Sequence, residues 1–457
     1  MIMAVWRAPL AVFPRRAASL PCLQFASANA FTPSAAPRLN GCRRAYGTHT
    51  ADEVFGGDDV HKVNKLISDF SVATNGLGPV PRAVAAMRRL FEDSETSWTT
   101  PRSGDIKAIM EEDGERVFSS PAIEQYPNRA DPELHSIVGA FLRPGRPAHG
   151  MAPANERLVF GNGASELIDL LVRAAPGGPY FPVPTVQYSA YPRACWNSGR
   201  ELTDNPADAA LHCVVNPNNP SGELRQRAEL EAWISENAAP GSWVIVDESV
   251  GFWSGPDWQK QGITDEFVQA MLEKHVKVFV LHSWSKIFSC VGMRIGSVLC
   301  PTEDSMRSLE ALMVPWQVTV FSRTYLKEAL QDEEYLIRTW RVTPKWREHM
   351  VTRLQRLHPT WKILGESWLP WIWVDTGDPN VATAVYTAAL ESGCPVRHGA
   401  RGYGMPNHLR IAVRRPYDFA VLHQALLQLE CKRSVSGLMQ YGTFADVHPG
   451  VVDTVAL

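Results

Sequence analysis

Short, unbroken apolar runs alternate with amphipathic stretches through the middle of the chain. The runs "LHCVV" (211–215), "SWVIVD" (242–247) and "VKVFVLHS" (276–283) have strand length and little polar alternation, the pattern of strands covered on both faces. The stretches "ASELIDLLVRAA" (164–175) and "RAELEAWISENAA" (227–239) place apolar residues at helical spacing. From about 118 to 315 this alternation predicts a mostly parallel sheet covered by helices. Upstream, 63–91 reads as an extended segment, a Gly/Pro turn and a helix starting near Pro81. After Pro315 a long helical region runs to about 357 and is expected to break or kink at Pro344. The pattern then changes to strand "LPWIWVDT", helix "NVATAVYTAALESG", strand "HLRIAVR" and helix "PYDFAVLHQALLQLE", a smaller α/β unit. Residues 433–457 show little periodicity and are expected to be a tail.

The expected organisation follows. Residues 1–50 form a leader, and 51–117 an N-terminal arm with part of the small domain. Residues 118–315 form the large domain, and 316–432 the small C-terminal domain with its long linking helix. The fold class is α/β, and no internal repeat is found.

Composition narrows the function. Of 457 residues, 45% are apolar and 20% charged, which is globular rather than disordered. No apolar run is long enough to cross a bilayer, so no membrane partner is expected. The net charge of −3 comes without a basic block, so no nucleic-acid partner is expected either. The charge is uneven. Residues 1–51 hold Arg7, Arg15, Arg16, Arg38, Arg43 and Arg44 and no Asp, Glu or Lys, leaving a body of 39 basic and 48 acidic residues. An Arg-rich, acid-free leader reads as an organelle transit peptide, mitochondrial ahead of plastid, cleaved between Arg44 and Thr50. Pro9 and Pro14 interrupt the amphipathic helix such a leader forms. The eight cysteines (Cys22, Cys42, Cys195, Cys213, Cys290, Cys300, Cys394, Cys431) include no C-x-x-C pair and read as reduced thiols. No zinc spacing appears, so no metal site is expected.

Five stretches carry candidate chemistry. "GNGASELIDLL" (161–171) is a Gly turn opening a helix, and its amides suit a phosphate; alone it is also an ordinary capping turn. "VVNPNNPSGEL" (214–224) is a tight turn after a strand that can present an Asn side chain to a ligand hydroxyl. "VIVDES" (244–249) ends a strand in Asp247, at the strand end where open α/β sheets bind ligands; helix N-capping is the plainer role. "VLHSWSKIFSCVGMRIG" (280–296) puts Lys286 at the mouth of a buried strand and Arg294 eight residues later. A solvated lysine needs no such setting, whereas a nucleophilic one needs a lowered pKa. Ser283 and Ser285, with Arg294, can bind a dianionic phosphate. In "CPVRHGARGYGMPNHLRIAVRRP" (394–416), Arg410 lies in an apolar strand pattern. It reads as a carboxylate grip or as a structural ion pair.

The order of these pieces resembles the fold-type-I pyridoxal-phosphate enzymes, specifically the class I/II aminotransferases. The likeness covers roughly 65–430, and the nearest branch is that of histidinol-phosphate aminotransferase and threonine-phosphate decarboxylase. The resemblance implies pyridoxal 5'-phosphate as cofactor, with Lys286 as its covalent tether and Asp247 on its ring nitrogen. Asn219 would bond the ring oxygen. Gly163, Ala164, Ser165, Ser283, Ser285 and Arg294 would hold its phosphate. Tyr126 in "QYPNR" would reach the phosphate of a neighbouring subunit, which implies a homodimer with shared active sites. Arg410 would grip the substrate α-carboxylate, and Arg397 a distal phosphate. Two positions depart from the family pattern. Val186 replaces the aromatic after Pro-Thr, so the stacking partner is missing unless Tyr188 moves in. Val250 stands where transaminases often carry Tyr three residues after the aspartate. The expected reaction is ping-pong transamination between a small-molecule amino acid or amino-acid-like amine, phosphorylated ones included, and a keto acid. Decarboxylation on the same cofactor is the alternative, and a catalytically impaired dimeric scaffold is the reading of another class.

Overall fold

Six strands form the larger sheet: β1 (Leu158–Gly161), β2 (Tyr180–Val183), β3 (Leu211–Val215), β4 (Trp243–Asp247), β5 (Lys277–Ser283) and β6 (Gly296–Leu299). Their order is β1-β6-β5-β4-β3-β2. Strands β2 to β5 are parallel, and β6 runs antiparallel between β5 and β1. The computed structural model describes residues 57–96, 123, 125–128, 130–145 and 147–441. The leader with its cleavage region, the stretch 97–122 and the segment 442–457 lie outside the described residues.

The continuous apolar runs follow from covering the sheet on both sides. Side chains alternate across a strand. Val214, Val244, Val246, Val278 and Val280 enter one core, while Leu211, Cys213, Val215, Ile245, Phe279 and Leu281 enter the other. The first core also holds Phe252, Trp253 and Trp284; the second holds Leu167, Ile168 and Leu171 of the helix Ala164–Ala174. Pro182 sits within β2, which is tolerated because β2 is the last strand of the sheet and only the bridge of Tyr180 to Leu202 lies beyond it.

The smaller sheet is antiparallel, ordered β7 (Lys362–Leu364), β8 (Trp371–Asp375), β10 (His408–Ala412), β9 (Arg397–His398). One face, with Ile372, Val374, Leu409 and Ile411, packs on the helices Glu333–Leu357, Pro379–Glu391 and Pro416–Tyr441. The opposite face carries Trp371, Trp373 and Arg410 by alternation, and Trp371 Nε1 donates to the Pro220 carbonyl at 2.8 Å. This face is therefore turned toward the loop after β3.

The expected long helical region is two helices, Val320–Leu330 and Glu333–Leu357. The second continues through Pro344 as one element. Losing one backbone bond and crowding the preceding turn costs about 3 kcal/mol. Burial of Thr339, Thr343, Met350 and Leu354 on both sides of the proline offsets that cost. The last helix runs to Tyr441, into the stretch expected to be a tail.

The segment before the helix Pro81–Thr96 joins the two sheets. Phe70 bridges to Val396, and its carbonyl accepts from Ala412 N at 2.8 Å. Asn75 N donates to the Lys286 carbonyl at 3.0 Å, and Asn75 Nδ2 to Thr339 Oγ1 at 2.7 Å. Among the described residues no helix is long and apolar enough to cross a membrane, and no group of three His, Cys, Asp or Glu could hold a metal ion.

Candidate active site

A cleft of about 330 Å³ opens at the carboxyl ends of β4 and β5. Ala164, Ser165, Asn219, Asp247, Ser283, Ser285, Lys286, Arg294 and Arg410 all line it. These residues span most of the chain, and the fold brings them to one place.

Lys286 follows β5 on the short helical turn Trp284–Ile287. Trp284 is fully buried; it stacks on Phe252 at 5.0 Å, and its Nε1 donates to Ser297 Oγ at 3.0 Å. That anchor fixes the turn and leaves the lysine facing the cleft. Desolvation, then the charges of Arg294 and Arg410, lower its pKa to about 8. A neutral amine is thus accessible near physiological pH.

The anion cradle is built from backbone as much as side chains. Gly163 caps the helix Ala164–Ala174 at φ 82°, ψ 163°, a conformation essentially reserved for glycine. A Cβ there would run into the Arg294 guanidinium. A Cβ on Gly296 of β6 would come within 2.8 Å of Ala164 N, so the absence of that side chain lets the helix start press on the sheet. Gly163 itself does not line the cleft but backs Arg294. Arg294 adopts left-handed backbone, φ 55°, and its Nη1 donates to the Val291 carbonyl at 3.1 Å. Ser283 and Ser285 hydroxyls lie 3.0 Å apart. A helix N-terminus, hydroxyls and an arginine around one space form a phosphate site.

Asp247 is buried at the end of β4. Burial raises its pKa, although Ser249 and Tyr191 act to lower it. Ser249 N donates to Oδ1 at 3.0 Å and the Tyr191 hydroxyl to Oδ2 at 3.0 Å. Burial, followed by the nearby Asp247 charge, pushes the Tyr191 pKa well up, so the phenol remains a donor.

Three tyrosines complete the site: Tyr188, which the sequence offers in place of the aromatic missing at Val186, and Tyr191 and Tyr403, which are not among the residues expected from it. Tyr188 lines the cleft with its hydroxyl 3.4 Å from Ser165 Oγ. It supplies the aromatic wall that Val186 does not; the Val186 carbonyl instead accepts from Asn218 Nδ2 at 3.0 Å. Tyr191 holds Asp247. Tyr403 donates to Asn219 Oδ1 at 3.0 Å, and its hydroxyl accepts from Arg410 Nη1 at 3.0 Å. The spacing of tyrosines in "PTVQYSAY" was a signal for the first two; Tyr403 sits in a Gly-rich loop with no such signal.

Arg410 Nη1 also donates to Asn219 Oδ1 at 2.8 Å, and its Nη2 to the Ser71 carbonyl at 2.8 Å. Among the described residues no carboxylate lies within ion-pair distance of it. Arg397, its cross-strand partner on β9, does not line the cleft; its Nη1 lies 3.6 Å from Asp59 Oδ2. Tyr126 lies on the surface, 75% exposed and stacked on Trp316 at 4.1 Å. Val250 lines the cleft.

The donor set fits pyridoxal 5'-phosphate. The glycine-backed cradle with Arg294 suits its phosphate, the buried acid its ring nitrogen, Asn219 its ring oxygen and the low-pKa lysine its aldehyde. Fold and site together define a pyridoxal-phosphate-dependent enzyme. Residues 99–418 match the family model of aminotransferase class I and II, and the chain belongs to that family. It is an aminotransferase by that membership. Among curated relatives, histidinol-phosphate aminotransferase of Nitratidesulfovibrio vulgaris is 28% identical over 317 residues, 63% of this chain and 76% of the relative. That of Symbiobacterium thermophilum is 27% identical over 365 residues, 75% of this chain and 84% of the relative. Two solved structures share the fold. Histidinol-phosphate aminotransferase from Sinorhizobium meliloti, in complex with pyridoxal-5'-phosphate, superposes with TM-score 0.63 at 16% identity, covering 88% of this chain and all of that one. L-threonine-O-3-phosphate decarboxylase from Porphyromonas gingivalis gives 0.59 at 18% identity, covering 79% and 99%.

Proposed function

We propose that this chain transfers an amino group from an amino acid, or an amino-acid-like amine bearing an anionic group, to a keto acid in two half-reactions. The observation behind this reading is Arg410, which has no carboxylate partner among the described residues and shares one cleft with Lys286. Arg410 binds the anion of the incoming amine, with Asn219 and Tyr403 holding its guanidinium in place. When bound, pyridoxal 5'-phosphate supplies an electron-withdrawing ring that stabilises negative charge on the substrate carbon. Asp247 keeps the ring nitrogen protonated. Neutral Lys286 Nζ removes the substrate proton and returns it, acting as base and then acid. Arg294, Ser165, Ser283 and Ser285 hold the phosphate throughout.

A donor screen with histidinol phosphate, phosphothreonine and aromatic amino acids tests the reading. Conversion of the cofactor to its amino form by a donor alone supports transamination. A second reading, loss of carbon dioxide, draws on Val250, which lines the cleft where transaminases of the family carry Tyr. Carbon dioxide release without a keto acid would replace the first reading.

The assembly proposed is a homodimer in which exposed Tyr126 reaches the other subunit's cradle; light scattering and Tyr126→Phe test it. The Arg-rich leader supports delivery to mitochondria, which import of a leader fusion tests.

A further inference from the structure

Asp59 is a buried acid that the chemistry above does not use. It sits in the turn Asp58–Lys62 with no exposed surface, and neighbouring Gly57 lines the substrate cleft. Its Oδ1 accepts from Lys62 Nζ and from the Tyr386 hydroxyl, each at 2.8 Å. Its Oδ2 has no hydrogen bond and lies 3.6 Å from Arg397 Nη1. Burial alone would raise this carboxyl, but the Lys62 and Tyr386 hydrogen bonds and the Arg397 charge bring it below the usual value, so it is an anion.

Arg397 stands directly opposite Arg410 in the β9–β10 pair. Residues opposite each other project from the same face of a sheet. Arg410 lines the cleft and Arg397 is buried directly beside it; two such arginines acting together would suit a dianion. Here one of them already faces an internal carboxylate, and its Nη2 donates to the Arg401 carbonyl at 3.1 Å.

We propose that Asp59 is a specificity-determining residue: it neutralises Arg397 from within the chain, so that Arg410 alone reads the substrate anion and a monoanionic carboxylate is accepted over a dianionic phosphate ester. A phosphate placed against this pair meets the Asp59 charge, which is how a site rejects the wrong ligand. The inference rests on Arg410 being the anion grip.

The test is titration calorimetry of the holoenzyme with two unreactive probes, 3-phenylpropionate and 2-phenylethyl phosphate. The wild-type protein should bind the carboxylate more tightly. Asp59→Asn should tighten the phosphate ester about tenfold, leaving the carboxylate within about twofold. Adding Arg397→Gln should abolish that gain, because the cation whose charge Asp59 balances is removed. A wild-type preference for the phosphate ester overturns the inference without need of any variant. So does an unchanged ratio in a folded Asp59→Asn protein, and in both cases the Arg410 reading survives. Binding of neither probe to wild type overturns the Arg410 reading and this inference with it.

Discussion

The Tyr191 hydroxyl donates to Asp247 Oδ2 at 3.0 Å from a side chain with no exposed surface. A buried carboxylate is costly unless it is hydrogen-bonded. Tyr191 and Ser249 N satisfy Asp247 from two sides and keep the anion available for a protonated ring nitrogen. Tyr191→Phe removes one donor and keeps the shape. A hydrogen bond to a charged group is worth about 1.5–3 kcal/mol. The carboxyl pKa should then rise further, and less of it is ionised at a given low pH. The acid limb of the rate profile should move to higher pH, with kcat lowered roughly tenfold or more. Stopped-flow pH profiles check this, and an unmoved acid limb would separate Tyr191 from Asp247.

Lys286 makes a prediction in the opposite pH direction. Its pKa of about 8 comes from burial and from Arg294 and Arg410. Below that value the neutral fraction gains about tenfold per pH unit, and above it saturates. The rate at which apoprotein takes up pyridoxal 5'-phosphate should follow the same curve. The unfolded lysine titrates near 10.5, so between about 8 and 10.5 the unfolded chain holds a proton that the folded chain lacks. This group therefore makes the apoprotein more stable as pH rises through that window, and the contribution is lost as pH falls through 8. Lys286→Met should remove that slope, abolish activity and abolish the covalent cofactor spectrum. A borohydride-trapped label on another residue would refute the assignment.

Much of this was legible in the chain, and the parts that were not share a physical reason. The runs ending at Val215, Asp247 and Ser283 are strands within a residue of their expected bounds, because covering on both faces leaves a continuous apolar signal. Lys286, Asp247 and Arg294 could be picked out because each follows or interrupts such a run. Strand β6 is only Gly296–Leu299, and its antiparallel direction depends on tertiary pairing that no local pattern encodes. Tyr403 reaches Asn219 from a distant loop, and Asp59 lies in a short polar turn. Their meaning comes from partners far away in sequence, Asn219 and Arg410 for Tyr403, and Tyr386 and Arg397 for Asp59. The aromatic absent at Val186 is supplied by Tyr188, two positions on, the substitute its spacing offered. At Pro344 no break occurs, because packing along Glu333–Leu357 holds one helix across a local helix breaker.

Arg410 should separate substrate binding from cofactor binding. It is held by Asn219, Tyr403 and the Ser71 carbonyl, so its fork is ordered before any substrate arrives. Arg410→Gln should lower kcat/KM about 100-fold for a carboxylate donor, the scale of losing a charge-assisted pair of hydrogen bonds. The cofactor absorbance should remain, because Arg410 is not part of the phosphate cradle. Arg410→Lys should recover little, since an ammonium is a point charge without the planar fork. Steady-state kinetics alongside absorbance spectra test both; equal loss of cofactor would move Arg410 out of the substrate role.

Gly163 carries the last prediction, because its requirement is for no side chain at all. At φ 82°, ψ 163° an added Cβ is strained by roughly 1–3 kcal/mol. The same Cβ would also meet the Arg294 guanidinium, which must swing aside and leave its place in the cradle. Moving it would give up the Nη1 bond to the Val291 carbonyl. Gly163→Ala should therefore lower the melting temperature of the apoprotein by several degrees and also weaken pyridoxal 5'-phosphate. Because the displaced group binds phosphate, affinity for pyridoxal 5'-phosphate should fall more than affinity for pyridoxal. Fluorescence titration with both ligands measures that difference. If the two affinities fell by the same factor, the glycine would be needed only for backbone conformation and not to seat Arg294.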